Sequence, residues 1–274
     1  MTASERFTKC VILARGLGTR MRHEDRGAAL NTSQAAAADA GIKAMIPVGR
    51  PFLDYVLSGL ADEGYQQACL VIGPEHAAVR EYYASTSRPE RIQVAFATQE
   101  EPLGTANAVL AAEEFAGADE FLVINSDNYY PAEALSLMQG LGQPGTVLFP
   151  AEALVRESNV PKERIRAFAY CVVDGDEFLM DIVEKPDAAA AARLGAQKLV
   201  SMNCWRFGRD IFTACRDVPM SSRGEYELPQ AVRLAIRQGT KFKAAICSRA
   251  VLDLSRRSDI AEVAARLRKI EVRI

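Results

Sequence analysis

Short apolar runs alternate with stretches of helical period along the first half of the chain. Residues 10–14, 68–72, 92–97 and 121–124 are short apolar runs of strand length, interrupted only by Gln93, and each is followed by apolar positions recurring every three or four residues. Runs of this kind suit strands buried on both faces, and their alternation with helices predicts βαβ units. Residues 52–63 predict the first long helix, closed by Gly64, and residues 105–115 a second one entered after Gly104. The expected fold class is therefore α/β, with a doubly wound, mostly parallel, Rossmann-like mixed sheet in a single domain over residues 1–274. Ligands bind at the carboxyl ends of the strands in such a sheet.

Past Gly145 the pattern lengthens. Strands are expected over 165–174, 178–184 and 199–207, with an alanine-rich helix at 187–194 between two of them, extending the sheet into a second wall. A helix at 228–237, a strand at 242–247 and an amphipathic helix from 258 to about 269 close the chain.

Composition narrows the function classes. A chain of 274 residues, 49% hydrophobic and 25% charged, can bury a full globular core, and no Ser/Gly/Pro-rich linker, repeat or charge block divides it. The net charge of -2 provides no broad field for a nucleic acid or an anionic membrane, so any anion must be held locally. The amino terminus lacks the apolar centre of a signal peptide and no apolar run reaches membrane-spanning length, which predicts a soluble cytoplasmic protein. Cys10, Cys69, Cys171, Cys204, Cys215 and Cys247 lack metal-ligand spacing and read as buried reduced thiols. His23 and His76 are the only histidines, both expected at the surface, too few for a histidine-built metal centre or a histidine-driven nucleophile.

The chemistry concentrates in Val11-Ile-Leu-Ala-Arg-Gly-Leu-Gly-Thr-Arg-Met21, where the first strand breaks into a Gly-x-Gly-Thr-Arg turn. Bare amides at Gly16 and Gly18 and the planar fork of Arg20 can hold several phosphate oxygens together. Taken alone, the glycine pair also fits an ordinary strand-to-helix turn with an exposed arginine. A dinucleotide fingerprint would need glycine where Met21 stands, and a P-loop would need Gly-Lys-Ser/Thr; neither is present.

The run resembles the Leu-Ala-Ala-Gly-x-Gly-Thr-Arg-Met signature of the sugar nucleotidyltransferases, with Arg15 in place of the second alanine. Further matches follow in order over roughly residues 8–255: Lys43-Ala-Met-Ile-Pro-Val48, Gln99-Glu-Glu-Pro-Leu-Gly-Thr-Ala106, Asn125-Ser-Asp127, Val183-Glu-Lys-Pro186, Ser201-Met-Asn203 and Arg223-Gly-Glu-Tyr-Glu-Leu228. The resemblance implies Mg²⁺-dependent, in-line attack of a sugar 1-phosphate on the α-phosphorus of an NTP, with pyrophosphate leaving and no covalent intermediate. It makes Arg20 and Lys43 the catalytic cations, and Asp127 and Asp253 the metal ligands. Leu13, Ala14, Arg15, Gly16, Gly18, Thr19, Gln99, Gly104 and Thr105 fall to the nucleotide, with Gln99 tilting the base towards UTP or dTTP. Asn128, Cys171, Glu184, Lys185 and Asn203 fall to the sugar, whereas Gly224-Glu-Tyr-Glu227 reads as a structural helix entry. The implied partners are an NTP and a sugar 1-phosphate, with no nucleic acid and no membrane, and assembly into a homo-oligomer stays open.

Some relatives continue into a β-helical acyltransferase or regulatory domain. Nothing in these 274 residues remains to build one, so transfer alone is expected. The stretch 21–42, longer than the family usually shows, fits a flexible flap or a plain surface insertion equally well. Arg15, Ser126 and Cys171 depart from the family pattern and imply an unusual sugar or acceptor. Two rival readings stand beside the transferase: a CTP-dependent enzyme for an alcohol phosphate such as phosphocholine, caged by Tyr170 and Trp205, and a non-catalytic sugar-nucleotide sensor, suggested by the altered surroundings of Asp253. A glycosyltransferase fits less well, because Asp127-Asn-Tyr129 lacks the second aspartate of Asp-x-Asp.

Overall fold

A computed structural model describes residues 7–23, 25, 27–28, 30–184, 186, 194 and 198–274. Its centre is strand β1 (Lys9–Leu13), paired in parallel with β2 (Gln67–Ile72) on one side and β4 (Phe121–Asn125) on the other. Strand β3 (Gln93–Thr98) continues the parallel half beyond β2. On the far side of β4 the sheet turns mixed, as β9 (Leu199–Phe207) runs antiparallel to both β4 and β6 (Gly145–Pro150), and β10 (Lys243–Ile246) closes that edge. The hairpin β7 (Ala169–Val173) and β8 (Leu179–Glu184) branches from β9. A separate two-stranded ribbon joins β5 (Asn128–Tyr129) to β11 (Leu252–Asp253).

The apolar runs of the central strands β1, β2 and β4 are unbroken because both faces of the sheet are covered there, whereas β3 at the edge carries Gln93 and is only partly buried. Side chains alternate between faces along a strand. Cys10 and Ile12 of β1 enter one core, shared with Leu70 of β2 and Ile124 of β4, while Val11 and Leu13 enter the other, shared with Val71 and Val123. The helix Phe52–Asp62 packs on the first face and is followed by Gly64 at φ 90°, the expected stop. The helix Leu228–Arg237 covers the second face through Leu228, Ala231, Val232 and Ala235, one stripe at helical spacing.

Several expectations shift. The helix expected over 105–115 breaks at Ala112 into Thr105–Ala111 and Glu113–Ala116. The strand expected from residue 165 starts at Ala169, because Pro161 opens a helical turn, Lys162–Ile165, and its carbonyl accepts from Arg164 N at 2.9 Å. Strand β6 forms where the sequence pattern predicts no strand. The helix expected at 187–194 lies, apart from Leu194, outside the described residues. The stretch after Met21 holds a nine-residue helix, Thr32–Ala40, capped by a reciprocal Asn31–Gln34 box and buried only at Ala38, so its described part is a surface helix.

His76 is buried rather than at the surface; its Nδ1 accepts from Gly73 N at 3.3 Å, and burial holds its pKa below the usual histidine value. All six cysteines are buried and free of disulfides. Among the described residues no helix is long and apolar enough to cross a membrane.

Candidate active site

Parallel pairing in register makes the central strands end together. Past Leu13 the ladder runs one step further, with Ala14 N donating to Val71 O at 2.9 Å, Ser126 N to Leu13 O at 3.1 Å and Gln99 N to Ile72 O at 2.9 Å. Three loops therefore leave the sheet side by side around a cleft of about 560 Å³.

The glycine turn after β1 is held from behind. Gly18 adopts φ 62° and ψ 20°, and its carbonyl accepts from Met21 N and Arg22 N at 2.9 Å, starting the short helix Thr19–Arg22. A Cβ at Gly18 would stand 2.2 Å from Gly41 O, so the turn and the end of the helix Thr32–Ala40 meet backbone to backbone. No side chain can enter that contact. Buried Arg257 locks the pair from the carboxyl-terminal segment: its Nε donates to Met21 O at 2.9 Å and its Nη2 to the Asp39 carboxylate. Gly16 faces open space, leaving the cleft side of the turn bare.

Charge gathers where β4 ends. Lys43, on the turn Lys43–Met45, donates from Nζ to Asp127 Oδ2 at 2.7 Å. Burial disfavours its charge, but Asp127 and then Asp253 outweigh that and raise its pKa. The β5–β11 ribbon sets Asn128 opposite Asp253, and Leu254 N donates to Asp127 O at 2.8 Å, so the two aspartates lie side by side across two strands. Burial, and next the charge of Asp127, pushes the Asp253 carboxyl up to about 6. Among the described residues no group of three or more His, Cys, Asp or Glu forms a metal cage. The protein thus presents two hard oxygen donors beside bare amides. That donor set suits a Mg²⁺ ion that keeps waters and shares phosphate oxygens. Arg20 is exposed on the rim of the same cleft.

The opposite wall carries Gln99. Both amide hydrogens are spent inside the wall, on Gly104 O at 3.0 Å and on Asn107 Oδ1 at 2.8 Å, which leaves Oε1 as the group it can present. Gly104 has φ 103° and ψ 179°, and a Cβ there would meet Tyr226 O at 2.5 Å. Tyr226 N donates to Leu103 O at 2.7 Å, Ala106 N to Tyr226 O at 2.9 Å and Leu228 N to Thr105 Oγ1 at 2.8 Å. The Gly224-Glu-Tyr-Glu227 stretch therefore opens a helix, as expected, and also splints the loop bearing Gly104.

The cleft brings together Leu13, Ala14, Arg15, Gly16, Gly18, Thr19, Arg20, Lys43, Gln99, Gly104, Thr105, Asp127, Asn128, Asn203 and Asp253. Arg15 lies there in a different posture: its guanidinium turns to Glu75, with Nε 3.3 Å from Oε1, so its charge is balanced by a carboxylate. Asn203 sits in the left-handed region at φ 54° in the middle of β9, a conformation L-residues rarely keep without a reason, and it faces the cleft. Cys171 lies elsewhere. Strand alternation puts Tyr170 in one core and turns Cys171 into the other, where burial raises its thiol pKa. Glu184 lines a neighbouring cavity and meets Arg223 at 3.4 Å, and Lys185 falls outside the described residues. Tyr170 and Trp205, the expected walls of a choline cage, are both buried in the core.

Sequence reasoning missed Asn107, which orients Gln99, and Arg164, which holds Asp253 at 2.8 Å. The signal for Arg164 lies in Pro161-Lys-Glu-Arg, a helix-opening proline with charged residues behind it, just before the strand expected from residue 165. Phe168 and Glu225 also line the cleft unforeseen.

The sequence model of the family described as nucleotidyl transferase matches residues 36–269. The chain is 26% identical over 264 residues to the UTP–glucose-1-phosphate uridylyltransferase AglF of Haloferax volcanii, covering 95% of this chain and 97% of that protein. It is 25% identical over 261 residues to the glucose-1-phosphate thymidylyltransferase of Streptomyces griseus, covering 93% of this chain and 64% of that longer protein. In fold it is similar to a crystal structure of UDP-glucose pyrophosphorylase complexed with UDP-glucose, with a TM-score of 0.74 at 16% identity, over 97% of this chain and 100% of that one.

Gly18→Ala forces a Cβ into the Gly41 carbonyl at an unfavourable φ, and Arg257→Met strips the carbonyls of Met21 and Arg22 of the guanidinium that donates to them at 2.9 and 3.4 Å. Each is expected to lower stability by about 2 kcal/mol in urea denaturation, the scale of such backbone and buried-partner losses. Unchanged midpoints would mean that the insertion does not brace the turn.

Proposed function

As the chain belongs to the nucleotidyl transferase family, we propose that this cleft transfers a nucleotidyl group from UTP or dTTP to a sugar 1-phosphate, releasing pyrophosphate. One observation carries the reading: Arg20, Lys43, Asp127 and Asp253 line the same cleft as the bare glycine turn, at the carboxyl ends of parallel strands. Cations and amides crowded there suit a reaction in which negative charge builds on phosphorus and leaves with a pyrophosphate.

In this reading the amides of the turn and Arg20 bind the outer phosphates and balance the charge of the departing pyrophosphate. Lys43 leaves Asp127 for the reacting phosphates. Asp127 and Asp253 hold Mg²⁺, which when bound neutralises phosphate oxygens and lowers the cost of bringing two anions together. Asn128 keeps Asp253 in place, its Nδ2 donating to Oδ2 at 3.1 Å. The sugar lies towards Asn203. No side chain need form a bond with substrate, so rate comes from alignment and charge.

Gln99 supports the choice of base. An amide whose hydrogens are already committed can only accept; uracil and thymine offer it the ring N3–H, whereas cytosine and adenine have a bare ring nitrogen at that position and can donate only from the exocyclic amine beside it. Guanine carries an N–H as well. The uridylyl and thymidylyl specificities in the names of AglF and the S. griseus protein favour the pyrimidines. The same acceptor disfavours the CTP-dependent alternative, which also lacks exposed aromatic walls at Tyr170 and Trp205.

Pyrophosphate release should be measured with five NTPs against a set of hexose 1-phosphates and phosphocholine. UTP or dTTP with a hexose 1-phosphate is expected to exceed CTP and ATP by about tenfold or more in kcat/KM. Nucleotide binding without release from any pair would favour the sensor. Asp127→Asn and Arg20→Ala are each expected to cut kcat by about a hundredfold while leaving the circular dichroism spectrum unchanged; near-normal turnover in either variant removes its assigned role. Asn107→Leu releases one Gln99 hydrogen, so it should narrow the preference over CTP without abolishing turnover with UTP.

A further inference from the structure

The carboxylates at the metal position arrive already matched with cations. Lys43 Nζ stands 2.7 Å from Asp127 Oδ2, and Arg164 Nη2 stands 2.8 Å from Asp253 Oδ1. Arg164 is itself buried, with only 10% of its side chain exposed, and its other terminal nitrogen, Nη1, grips both oxygens of Asp259 at 3.0 and 3.1 Å. Asp259 is fixed in turn, because its Oδ2 accepts from Ser255 N at 3.0 Å and Arg256 N at 2.8 Å. The neighbouring Asn159 pins the backbone of Asp253 from both sides, donating to its carbonyl at 2.7 Å and accepting from its N–H at 2.8 Å. One short segment, residues 159–164, thus controls both the orientation of Asp253 and the charge beside it.

Each ligand carboxylate faces a resident cation, and although Asp259 adds a third negative charge behind Arg164, a divalent ion that arrives alone meets far less net charge than two bare carboxylates would offer, while it must still shed water. A triphosphate changes that balance. Its negative charge draws Lys43 away from Asp127 and offers oxygens of its own, whereas Arg164 stays, tethered to Asp259.

We propose that Arg164 is a positioning residue which orients Asp253 and neutralises it, so that the site takes a divalent cation only together with the nucleotide. The inference rests on the reading of Asp127 and Asp253 as metal ligands given under Proposed function. Lys43 cannot serve this purpose, since its amine must move to the phosphates during turnover; a cation anchored at its far end can.

The test is Mn²⁺ titration of the full-length chain, with free Mn²⁺ followed by electron paramagnetic resonance, in the presence and absence of a non-hydrolysable α,β-imido UTP analogue. The wild-type protein is expected to retain Mn²⁺ only with the analogue. Arg164→Gln should bind Mn²⁺ without nucleotide about tenfold more tightly than wild type, the direction expected when one nearby positive charge is removed. Arg164→Lys, which keeps the charge, should stay at the wild-type value. Should Arg164→Gln fail to fold, Arg164→Gln with Asp259→Asn also removes the carboxylate left without its partner, and a smaller gain of about threefold is expected, because the negative charge of Asp259, which acts on Asp253 from the far end of the guanidinium, is lost together with the positive one. A folded glutamine variant, single or double, with no gain in nucleotide-free affinity overturns the proposal. If instead Asp127→Asn and Asp253→Asn both retain Mn²⁺ with the analogue as the wild type does, the metal-ligand reading fails and the proposal falls with it.

Discussion

The in-register burial of β1 between β2 and β4 is the constraint from which the site follows. Because the strand is covered on both faces, with Cys10 and Ile12 in one core and Val11 and Leu13 in the other, it cannot slip by one residue without exchanging its entire set of contacts. Its end is therefore fixed relative to the ends of its neighbours. The backbone bonds from Ala14, Ser126 and Gln99 carry that registration one step past the sheet, and three loops begin from a common line. An anion site built from loops alone would have no such reference.

Each loop is then supported by chain that contributes little chemistry itself. The glycine turn rests on Gly41 and is tied by Arg257, the Gly104 loop rests on Tyr226, and Asp253 is clamped by Asn159 and Arg164. These contacts join residues far apart in sequence, so the insertion after Met21, the 159–164 segment and the carboxyl-terminal strand all bear on one cleft of about 560 Å³. The transfer proposed above, which needs no covalent intermediate, would depend on preorganisation of this kind, since positioned charges need no reorganisation as a reaction proceeds. The departures from the family signature take on a physical meaning here. Arg15 adds no free charge to the cleft because Glu75 balances it, and Ser126 extends the strand ladder through its backbone.

The alternation of apolar runs with helical stretches determined the α/β class and most strand positions, and the Gly-x-Gly-Thr-Arg turn with Lys43, Gln99 and Asp127 located the candidate site, because period and motif are local properties of the chain. The tertiary structure decided the rest. It turned Cys171 into the core, set the Gln99 amide as an acceptor through Asn107, brought the end of the helix at 32–40 against Gly18, and gave Asp253 an arginine partner. None of these is written in the neighbouring residues. Which way a side chain faces, and which distant charge it meets, depends on strand pairing and packing that only the whole fold brings into contact.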